Sequence, residues 1–413
     1  MEAVQSTDVS PARKLLKGLS SQISDLVRGI ERHIFIGNMI ANLPDDQRME
    51  IVSYFNGFLA KMQDNNASDI DLGGFGANGR VWYRVFGQKQ PDDSWGTITQ
   101  EEASLMIQNI LTDRQRQFMY DKRNLDFSYM FKVDDRVFRF RADAYFDMEE
   151  LALNMRAVNE QVRPIADLVF HPNVLRILNL NHTKEGLILV TGITGSGKSS
   201  TLDSIIDMNN HEVNGDIVII GSPIEYVHNS DKCIVRHREV GRDTLTFKEG
   251  AVEALRQDPD IVMITEMRDA DTILTALEIT DSGHKVFSTL HTASAVESID
   301  RIVAEVPPVE QDRVWTRLAD VLQCVISQKL IPSLDGKRIL AKEVLVASPS
   351  VRAAIKNRHT AEIYQMISES SDLGMITMEQ DLKRLYKQRK ISKENVMNYA
   401  NNKRRMEQLL QMM

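Results

Sequence analysis

The sequence predicts an α/β fold in which a domain built on a parallel sheet follows a small α+β domain and a helical N-terminal region. Three observations predict this order. From about residue 181 to 348, short and continuously apolar runs alternate with helical segments, as in strands covered on both faces. Residues 66–160 instead combine strand-like segments with a helix. Residues 11–63 carry apolar side chains at helical spacing.

The composition limits the class of protein. The 413 residues include 58 acidic and 50 basic side chains, a net charge of −8, which argues against a protein that coats nucleic acid. We find no apolar run long enough to span a bilayer and no apolar segment of a signal peptide. Two cysteines exclude an internal disulfide framework and a four-cysteine zinc site. We therefore expect a cytosolic chain, and a position against the inner face of a membrane remains open.

The helical N-terminal region, residues 1–65, has two apolar sets. One runs from Leu15 to Ile34 and the other from Met49 to Met62, with the turn-like segment NLPDDQ between them. This pattern predicts an α-hairpin or a small helical domain. Packing onto the next domain and docking of a partner both remain open.

The next region, residues 66–160, is predicted as a small α+β domain. DIDLGGFGANGRVWYRVFG reads as two short strands around a glycine turn, and TQEEASLMIQNIL reads as a helix with acidic residues in its first turn. DFSYMFKVDDRVFRFRADAYF reads as a hairpin that turns at Asp134-Asp135. Residues 161–180 then connect this domain to the parallel sheet.

The C-terminal segment, residues 349–413, is predicted to be helical and basic. Such a run of charge is usually a solvated face, and binding of anionic lipid headgroups or an acidic partner is the alternative. The basic residues are Lys383, Arg384, Lys387, Arg389, Lys390, Lys393, Lys403, Arg404 and Arg405.

The stretch GLILVTGITGSGKSSTLDSIID, from Gly186 to Asp207, predicts a nucleotide site. An apolar strand leads into G-x-x-x-x-G-K-S and then a helix, which is the phosphate-binding P-loop in its expected context. Backbone amides and the helix N-terminus would bind the phosphates of ATP, and Mg²⁺ would be held nearby. A glycine-rich turn that binds nothing is the alternative. The predicted nucleotide-binding residues are Thr194, Gly195, Ser196, Gly197, Lys198, Ser199 and Ser200.

Three polar side chains follow predicted strands and are the first candidates for catalysis. Glu266 follows DIVMI, Glu225 lies in SPIEY at the end of a second strand, and His291 follows a third. Ligands of open parallel sheets bind at this end of the strands. Glu266 would activate water, although a surface salt bridge with Arg268 would also explain it. His291 would sense or stabilise the γ-phosphate, although a lone histidine is more often structural.

At these segments the chain resembles the secretion ATPase superfamily of type II secretion and type IV pilus motors, in its PilT-like branch. The resemblance covers about residues 66–400. It rests on GITGSGKSS, SPIEYVHNSDKCIVRHREVGRDTLTF, ALRQDPDIVMITEMRD, SGHKVFSTLHTASA and the tail segment LGMITMEQDLKRLYKQRKI. The zinc-binding tetracysteine insertion of the extension motors cannot be supplied by two cysteines, which favours this branch.

The resemblance implies a homohexameric Mg²⁺-ATPase with a PAS-like domain before a RecA-like P-loop domain. Such a motor works at the inner membrane with a platform protein, as a peripheral cytoplasmic component of a pilus machine. It implies phosphate and Mg²⁺ binding by Lys198 and Ser199, a metal-site carboxylate at Glu225, and catalytic roles for Glu266 and His291. Arginines before the P-loop domain reach the nucleotide in this family, and the matching candidates are Arg139, Arg141 and Arg156.

Two departures from the family pattern leave other functions open. Gly221-Ser222 stands where the family has an acidic pair, and Thr265 stands where it has glycine. The first change removes negative charge near the metal, so a catalytically weak, nucleotide-gated assembly or regulatory subunit is an alternative. An ATPase of a conjugative or type IVB secretion system is another. A RecA-type helicase is disfavoured by the acidic charge.

Overall fold

The computed structural model describes residues 10–24, 26–65, 67–85, 88–133, 136–158 and 162–411, and the chain divides into two compact units, residues 1–159 and 160–413. The helices and strands of the first unit, in chain order, are α1 Pro11–Ser20, α2 Gly29–Ala41, α3 Asp45–Asp64, β1 Ala67–Gly73, β2 Val81–Val85, β3 Gln88–Asp92, α4 Gln100–Asn109, α5 Asp113–Lys122, β4 Asn124–Val133, β5 Arg136–Asp147 and β6 Glu150–Ala157. The strands form one antiparallel sheet in the order β3-β2-β1-β6-β5-β4.

Helices α1–α3 and the sheet share a single hydrophobic core. Leu16 and Phe58 from the helices belong to the same buried cluster as Ile70, Phe140 and Met155 from the strands. The N-terminal helices, which the sequence predicts as a region of their own, therefore pack onto the α+β domain.

Of the two predicted alternatives, the three helices α1–α3 fit a small helical domain and not an α-hairpin, because the first apolar set forms two helices. α1 ends at Ser20, and α2 begins at Gly29, whose φ is +54°. The hydroxyl groups of Ser20 and Ser21 donate to the carbonyl oxygens of Lys17 and Gly18, and such local bonds compete with helix continuation.

The strands before and after the predicted hairpin turn do pair, whereas the turn at Asp134-Asp135 lies outside the described residues. Three elements of the first unit were not predicted: α5, β6 and the polar edge strand β3. β3 contains Pro91, which has no backbone N–H, and an edge strand tolerates proline because one of its sides does not pair with another strand. The predicted helix after Thr99 is confirmed as α4, with a capping box between Thr99 and Glu102.

The second unit is built on a seven-stranded sheet in the order β13-β12-β7-β11-β10-β8-β9, parallel except for the β12–β13 pair. Its elements are α6 Pro172–Leu178, β7 Gly186–Thr191, α7 Lys198–Glu212, β8 Gly215–Gly221, β9 Cys233–Glu239, α8 Phe247–Ala254, β10 Ile261–Ile264, α9 Ala270–Asp281, β11 Lys285–Leu290, α10 Ala295–Glu305, α11 Pro308–Val321, β12 Leu322–Pro332, β13 Arg338–Val346, α12 Pro349–Lys356, α13 Ile363–Glu369, α14 Met378–Lys387, α15 Lys393–Tyr399 and α16 Lys403–Gln411.

This sheet is covered by hydrophobic core on both faces. Along β7, Leu187 and Leu189 belong to one buried cluster, and Ile188 and Val190 belong to another. Since successive strand residues point to opposite faces, a strand buried on both sides must be continuously apolar. The predicted α/β class is thereby confirmed.

The C-terminal segment is helical, as predicted, and packs on the rest of the second unit. Val351 and Ile363 extend one of the two clusters, whereas Leu382 and Met406 form a separate cluster with Ile331 of β12. Among the described residues, no helix combines the length and apolar character that crossing a bilayer requires.

Candidate nucleotide-binding and catalytic site

The glycine-rich turn joins β7 to α7 at the carboxyl end of the parallel sheet. β7 ends at Thr191 and α7 begins at Lys198, so the turn contains six residues. Gly195 and Gly197 have φ values of +78° and +89°, in the left-handed region that favours glycine. The turn can therefore present backbone amides next to the N-terminus of α7, which favours binding of an anion.

Gly192 allows the close packing on which the turn is built. A Cβ atom at this position would lie 2.5 Å from the carbonyl oxygen of Gln328 in β12. The Gln328 side chain donates to the carbonyl oxygen of Ser196 at 3.0 Å, whereas the buried Ser196 hydroxyl has no hydrogen-bond partner among the described residues. The turn is thus anchored to β12 while keeping a polar group unsatisfied, which suits a loop that binds an oxygen-rich ligand.

Lys198 holds its ammonium group inside this turn. Its Nζ donates to the carbonyl oxygens of Gly192 at 2.8 Å and Ile193 at 3.3 Å. Burial lowers the pKa of Lys198, and the negative charges of Glu266 and Glu225 act against that change. Both carboxylates are therefore electrostatic neighbours of the lysine that the sequence assigns to phosphate binding.

Glu266 and His291 meet because they follow adjacent parallel strands, β10 and β11. The Nε2 atom of His291 lies 3.1 Å from Glu266 Oε1, and its Nδ1 atom lies 3.5 Å from Lys198 Nζ. A neutral imidazole satisfies both contacts if Nε2 carries the proton and Nδ1 accepts from the lysine. The structure therefore brings together three residues that are separated by up to 93 positions in the sequence.

The other oxygen of Glu266 carries the salt bridge that the sequence analysis offered as an alternative. Arg268 Nη2 lies 2.7 Å from Glu266 Oε2, with the arginine side chain 67% exposed and the glutamate side chain 18% exposed. Burial raises the pKa of Glu266, but Arg268, His291 and Lys198 together lower it further, so the net pKa lies below the ordinary value. Glu266 is thus a carboxylate that stays ionised at neutral pH.

Glu225 is not at a strand end, which corrects the prediction. β8 ends at Gly221, and Glu225 lies four residues later in the loop before β9. Pro223 has no amide hydrogen to donate to a sheet, which favours an end to the strand before it. The loop nevertheless keeps the charge of Glu225 within electrostatic reach of Lys198.

This loop is tied to α7 by a pair of residues that the sequence analysis missed. His228 Nε2 lies 3.3 Å from Asp203 Oδ1, and the backbone amide of His228 donates to His237 Nε2 at 3.0 Å. Burial raises the pKa of Asp203, and its contact with His228 opposes the rise. Asp203 lies one helical turn after Ser199, so helical spacing was the signal that could have identified it.

The two departures from the family pattern lie next to each other. A Cβ atom on Gly221 would lie 3.0 Å from the methyl group of Thr265 and 2.9 Å from Ile224 Cδ1. The backbone amide of Thr265 also donates to the Ile220 carbonyl oxygen at 2.9 Å. The absence of a side chain at position 221 therefore leaves room for the Thr265 side chain.

A group of buried hydroxyls behind the turn was also missed. Thr191 Oγ1 lies 2.8 Å from Ser327 Oγ, and Ser298 Oγ lies 2.6 Å from Thr292 Oγ1 and 3.3 Å from Thr191 Oγ1. These contacts link β7, β12 and the loop after His291. Thr191, which ends the apolar run of β7, is the member of this group that the sequence pattern indicates.

The oxygen donors predicted for Mg²⁺ are the Ser199 hydroxyl and the Glu225 carboxylate. Ser199 lies in the first turn of α7, directly after Lys198, on which the charge of Glu225 acts. Hydroxyl and carboxylate oxygens suit Mg²⁺, which commonly keeps waters and substrate phosphates as further ligands. These residues fit the ion by chemistry and position, and their role as ligands stays a prediction.

The three candidate arginines lie together in the first unit. Arg139 and Arg141 alternate with Phe140 on β5 and so share a face, and Arg156 of β6 lies opposite Arg141. Arg156 Nε contacts Asp69 at 2.8 Å, and Arg141 Nη2 lies 4.0 Å from Asp126. The alternative of strand-surface charges therefore remains, and the role of the arginines at the nucleotide stays a prediction.

Comparisons with known proteins agree with these observations. The family model described as "Type II/IV secretion system protein" matches residues 44–411. The chain is 39% identical over 298 residues to the type IV pilus retractation ATPase PilT of Pseudomonas aeruginosa, covering 72% of this chain and 85% of the relative. It is 35% identical over 306 residues to a twitching motility protein of Neisseria gonorrhoeae, covering 74% and 80%.

Two solved structures resemble it over most of their length. The crystal structure of the pilus retraction motor PilT with bound ADP gives a TM-score of 0.75 at 34% identity, covering 85% of this chain and 98% of that one. The Legionella pneumophila ATPase DotB gives a TM-score of 0.73 at 25% identity, covering 83% and 94%.

Proposed function

The chain belongs to the type II/IV secretion system protein family, and on that premise we propose that it is a hexameric motor that drives retraction of a type IV pilus or a related pilus or secretion apparatus. The chain is an ATPase. The mechanical work that ATP hydrolysis drives in this chain is the part that we propose.

The observation that carries the proposal is the meeting of Lys198, Glu266 and His291 beside the glycine-rich turn. The turn and Lys198 would hold the phosphates, and bound Mg²⁺ would neutralise phosphate charge. Glu266, ionised and partly buried, would orient a water and take its proton. His291, bonded to Glu266 and close to Lys198, would sense whether the γ-phosphate is present.

We infer that the remaining positive charge comes from the first unit. Arg139, Arg141 and Arg156 share one face of that unit, and arginine stays charged and binds phosphate oxygens in a forked geometry. Hydrolysis would then require both units around one nucleotide, so that turnover changes the arrangement of the units in a ring of six copies.

We further propose that the motor works at the cytoplasmic face of the inner membrane with a platform protein. In support, exposed basic residues from two distant segments meet, because the amide of Leu334 donates to the Lys390 carbonyl oxygen at 2.9 Å. The surrounding basic side chains are Lys337, Arg338, Lys387, Arg389, Lys390 and Lys393. Each would contribute about 1 kcal/mol of attraction near an anionic membrane surface. Co-sedimentation with anionic vesicles at low and high salt tests this, and absent or salt-insensitive binding would leave a solvated face.

A second candidate function has support in the site itself. Gly221-Ser222 places no carboxylate before Pro223, which favours a nucleotide-gated assembly or regulatory subunit with weak catalysis. An ATPase of a conjugative or type IVB secretion system stays the other alternative that we propose for the driven machine. A turnover measurement separates the first of these from an active motor.

Substitution of Lys198 tests the proposed function directly. In Lys198→Ala, affinity for ATP or phosphate release should collapse, because the cation that follows the phosphates is removed. Lys184→Ala is the matched control, since Lys184 is an exposed lysine before β7, at the other end of the strand from the turn. Unchanged hydrolysis by Lys198→Ala would contradict the proposal.

A further inference from the structure

The chain between α15 and α16 lies against the loop that carries His291. In this segment Asn401 donates from Nδ2 to the carbonyl oxygen of Ala293 at 3.2 Å. Ala293 lies two residues after His291, in the short connection between β11 and α10. The two partners are 108 residues apart in the sequence, so the contact joins the C-terminal segment to the candidate catalytic site.

The Asn401 amide is held in the orientation that this contact requires. Lys329 Nζ donates to Asn401 Oδ1 at 2.6 Å and to the Tyr399 carbonyl oxygen at 2.8 Å. An ammonium group can only donate, so the oxygen of the amide must face it and the NH₂ group faces Ala293. The next residue, Asn402, donates its backbone amide to the buried Glu379 at 2.7 Å.

Two backbone amides of the loop are held by carboxylates of α10 and β13. The Ala293 amide donates to Glu297 at 2.8 Å, and the Ala295 amide donates to the buried Glu343 at 2.8 Å. These bonds hold the start of α10 and leave the Ala293 carbonyl oxygen to Asn401. The C-terminal segment therefore supplies a fixed point close to His291.

We propose that Asn401 is a positioning residue for His291, and that through it the C-terminal segment sets the catalytic geometry. By holding the Ala293 carbonyl, Asn401 keeps the imidazole within 3.1 Å of Glu266. The inference rests on the proposed function, since it assumes that His291 takes part in hydrolysis. α16 begins two residues after Asn401, so a displacement of that helix would move the Asn401 side chain.

Two substitutions of Asn401 in the full chain test this role. Asn401→Ala removes the donor to Ala293, and Asn401→Asp removes the donor but keeps an oxygen for Lys329. We expect kcat to fall about 3- to 10-fold in both, because a neutral hydrogen bond contributes about 1 kcal/mol and each 1.4 kcal/mol of barrier is tenfold in rate. The KM for ATP should stay the same, because the glycine-rich turn is unchanged.

Asn395→Ala is the matched control. Asn395 also donates from Nδ2 to a carbonyl oxygen, that of Pro332 at 2.8 Å, and it lies six residues earlier in the same segment. Because Pro332 is at the end of β12 and not beside His291, the kcat of Asn395→Ala should equal that of the unsubstituted chain. An equal loss in Asn395→Ala would show that any damage to the tail lowers turnover, and would overturn the inference.

A double substitution distinguishes positioning from a general loss of stability. If Asn401 acts through His291, Asn401→Ala should lower turnover no further in a His291→Ala background. The same fractional loss in that background, or full turnover in Asn401→Ala alone, would overturn the inference and leave the proposed function standing. Full turnover in His291→Ala alone would contradict the role of His291 in the proposed function, and this inference with it.

Discussion

Replacement of Glu266 by glutamine should separate catalysis from stability. The amide has the shape of the carboxylate but cannot accept a proton from water, and removal of a general base costs about 10²- to 10⁴-fold in kcat. The cost in stability should be small, because the partner in its salt bridge, Arg268, is 67% exposed and can turn to solvent. Exposed pairs contribute about 0.2–1 kcal/mol, and this pair is exposed on the arginine side only, so we expect a cost near the upper end of that range.

The assay for Glu266→Gln is phosphate release at saturating ATP, with nucleotide binding and thermal unfolding measured on the same sample. Binding should persist, and the free energy of unfolding should fall by no more than about 1 kcal/mol. Glu253→Gln is the matched control. Glu253 Oε2 lies 2.6 Å from Arg238 Nη2, in a salt bridge that is not part of the glycine-rich turn. Turnover within a factor of a few of the unsubstituted chain would refute the assignment of Glu266 as the base.

Arg141→Ala and Arg156→Ala should each leave ATP binding unchanged and lower the kcat of phosphate release. An unchanged kcat in both variants would show that these arginines are surface charges of the strands. Gly221→Asp should lower the free energy of unfolding by about 1–3 kcal/mol through overpacking against Thr265, and Thr265→Gly in the same chain should restore part of the loss, measured by denaturant unfolding. Burial raises the pKa of Glu343 to about 7, so the folded chain keeps a proton that the unfolded chain loses above its ordinary pKa of about 4.5. The stability that this carboxyl contributes is therefore lost as the pH rises from about 4.5 to about 7. The gain of Glu343→Gln relative to the unsubstituted chain should grow over that range and then stay constant to pH 8, at no more than about 3 kcal/mol.

The parts of the site that could be predicted from the sequence are those specified by local patterns. The glycine-rich turn and Lys198 follow from the P-loop spelling between a strand and a helix. Glu266 and His291 could be placed near it because residues after parallel strands collect at one edge of the sheet. Glu225 was harder, since an apolar run does not show where pairing stops, and Pro223 was the available signal.

The parts that could not be predicted depend on contacts between distant segments. Nothing near Asn401 in the sequence indicates that its side chain reaches Ala293, and the pairing of Asp203 with His228 depends on how the loop before β9 folds back onto α7. The break after Ser20 was missed because apolar spacing continues across it, and only the cluster of serines indicated a turn.

If ATP is hydrolysed only in an assembled ring of two-unit chains, the specific activity must depend on protein concentration. ATP turnover per chain should be measured over a dilution series, with the native mass determined at each concentration. We predict that turnover per chain rises with concentration as the mass moves from one copy to six, because assembly and activity are linked by mass action. A single-copy chain whose turnover is the same at every concentration would show that hydrolysis does not need the ring.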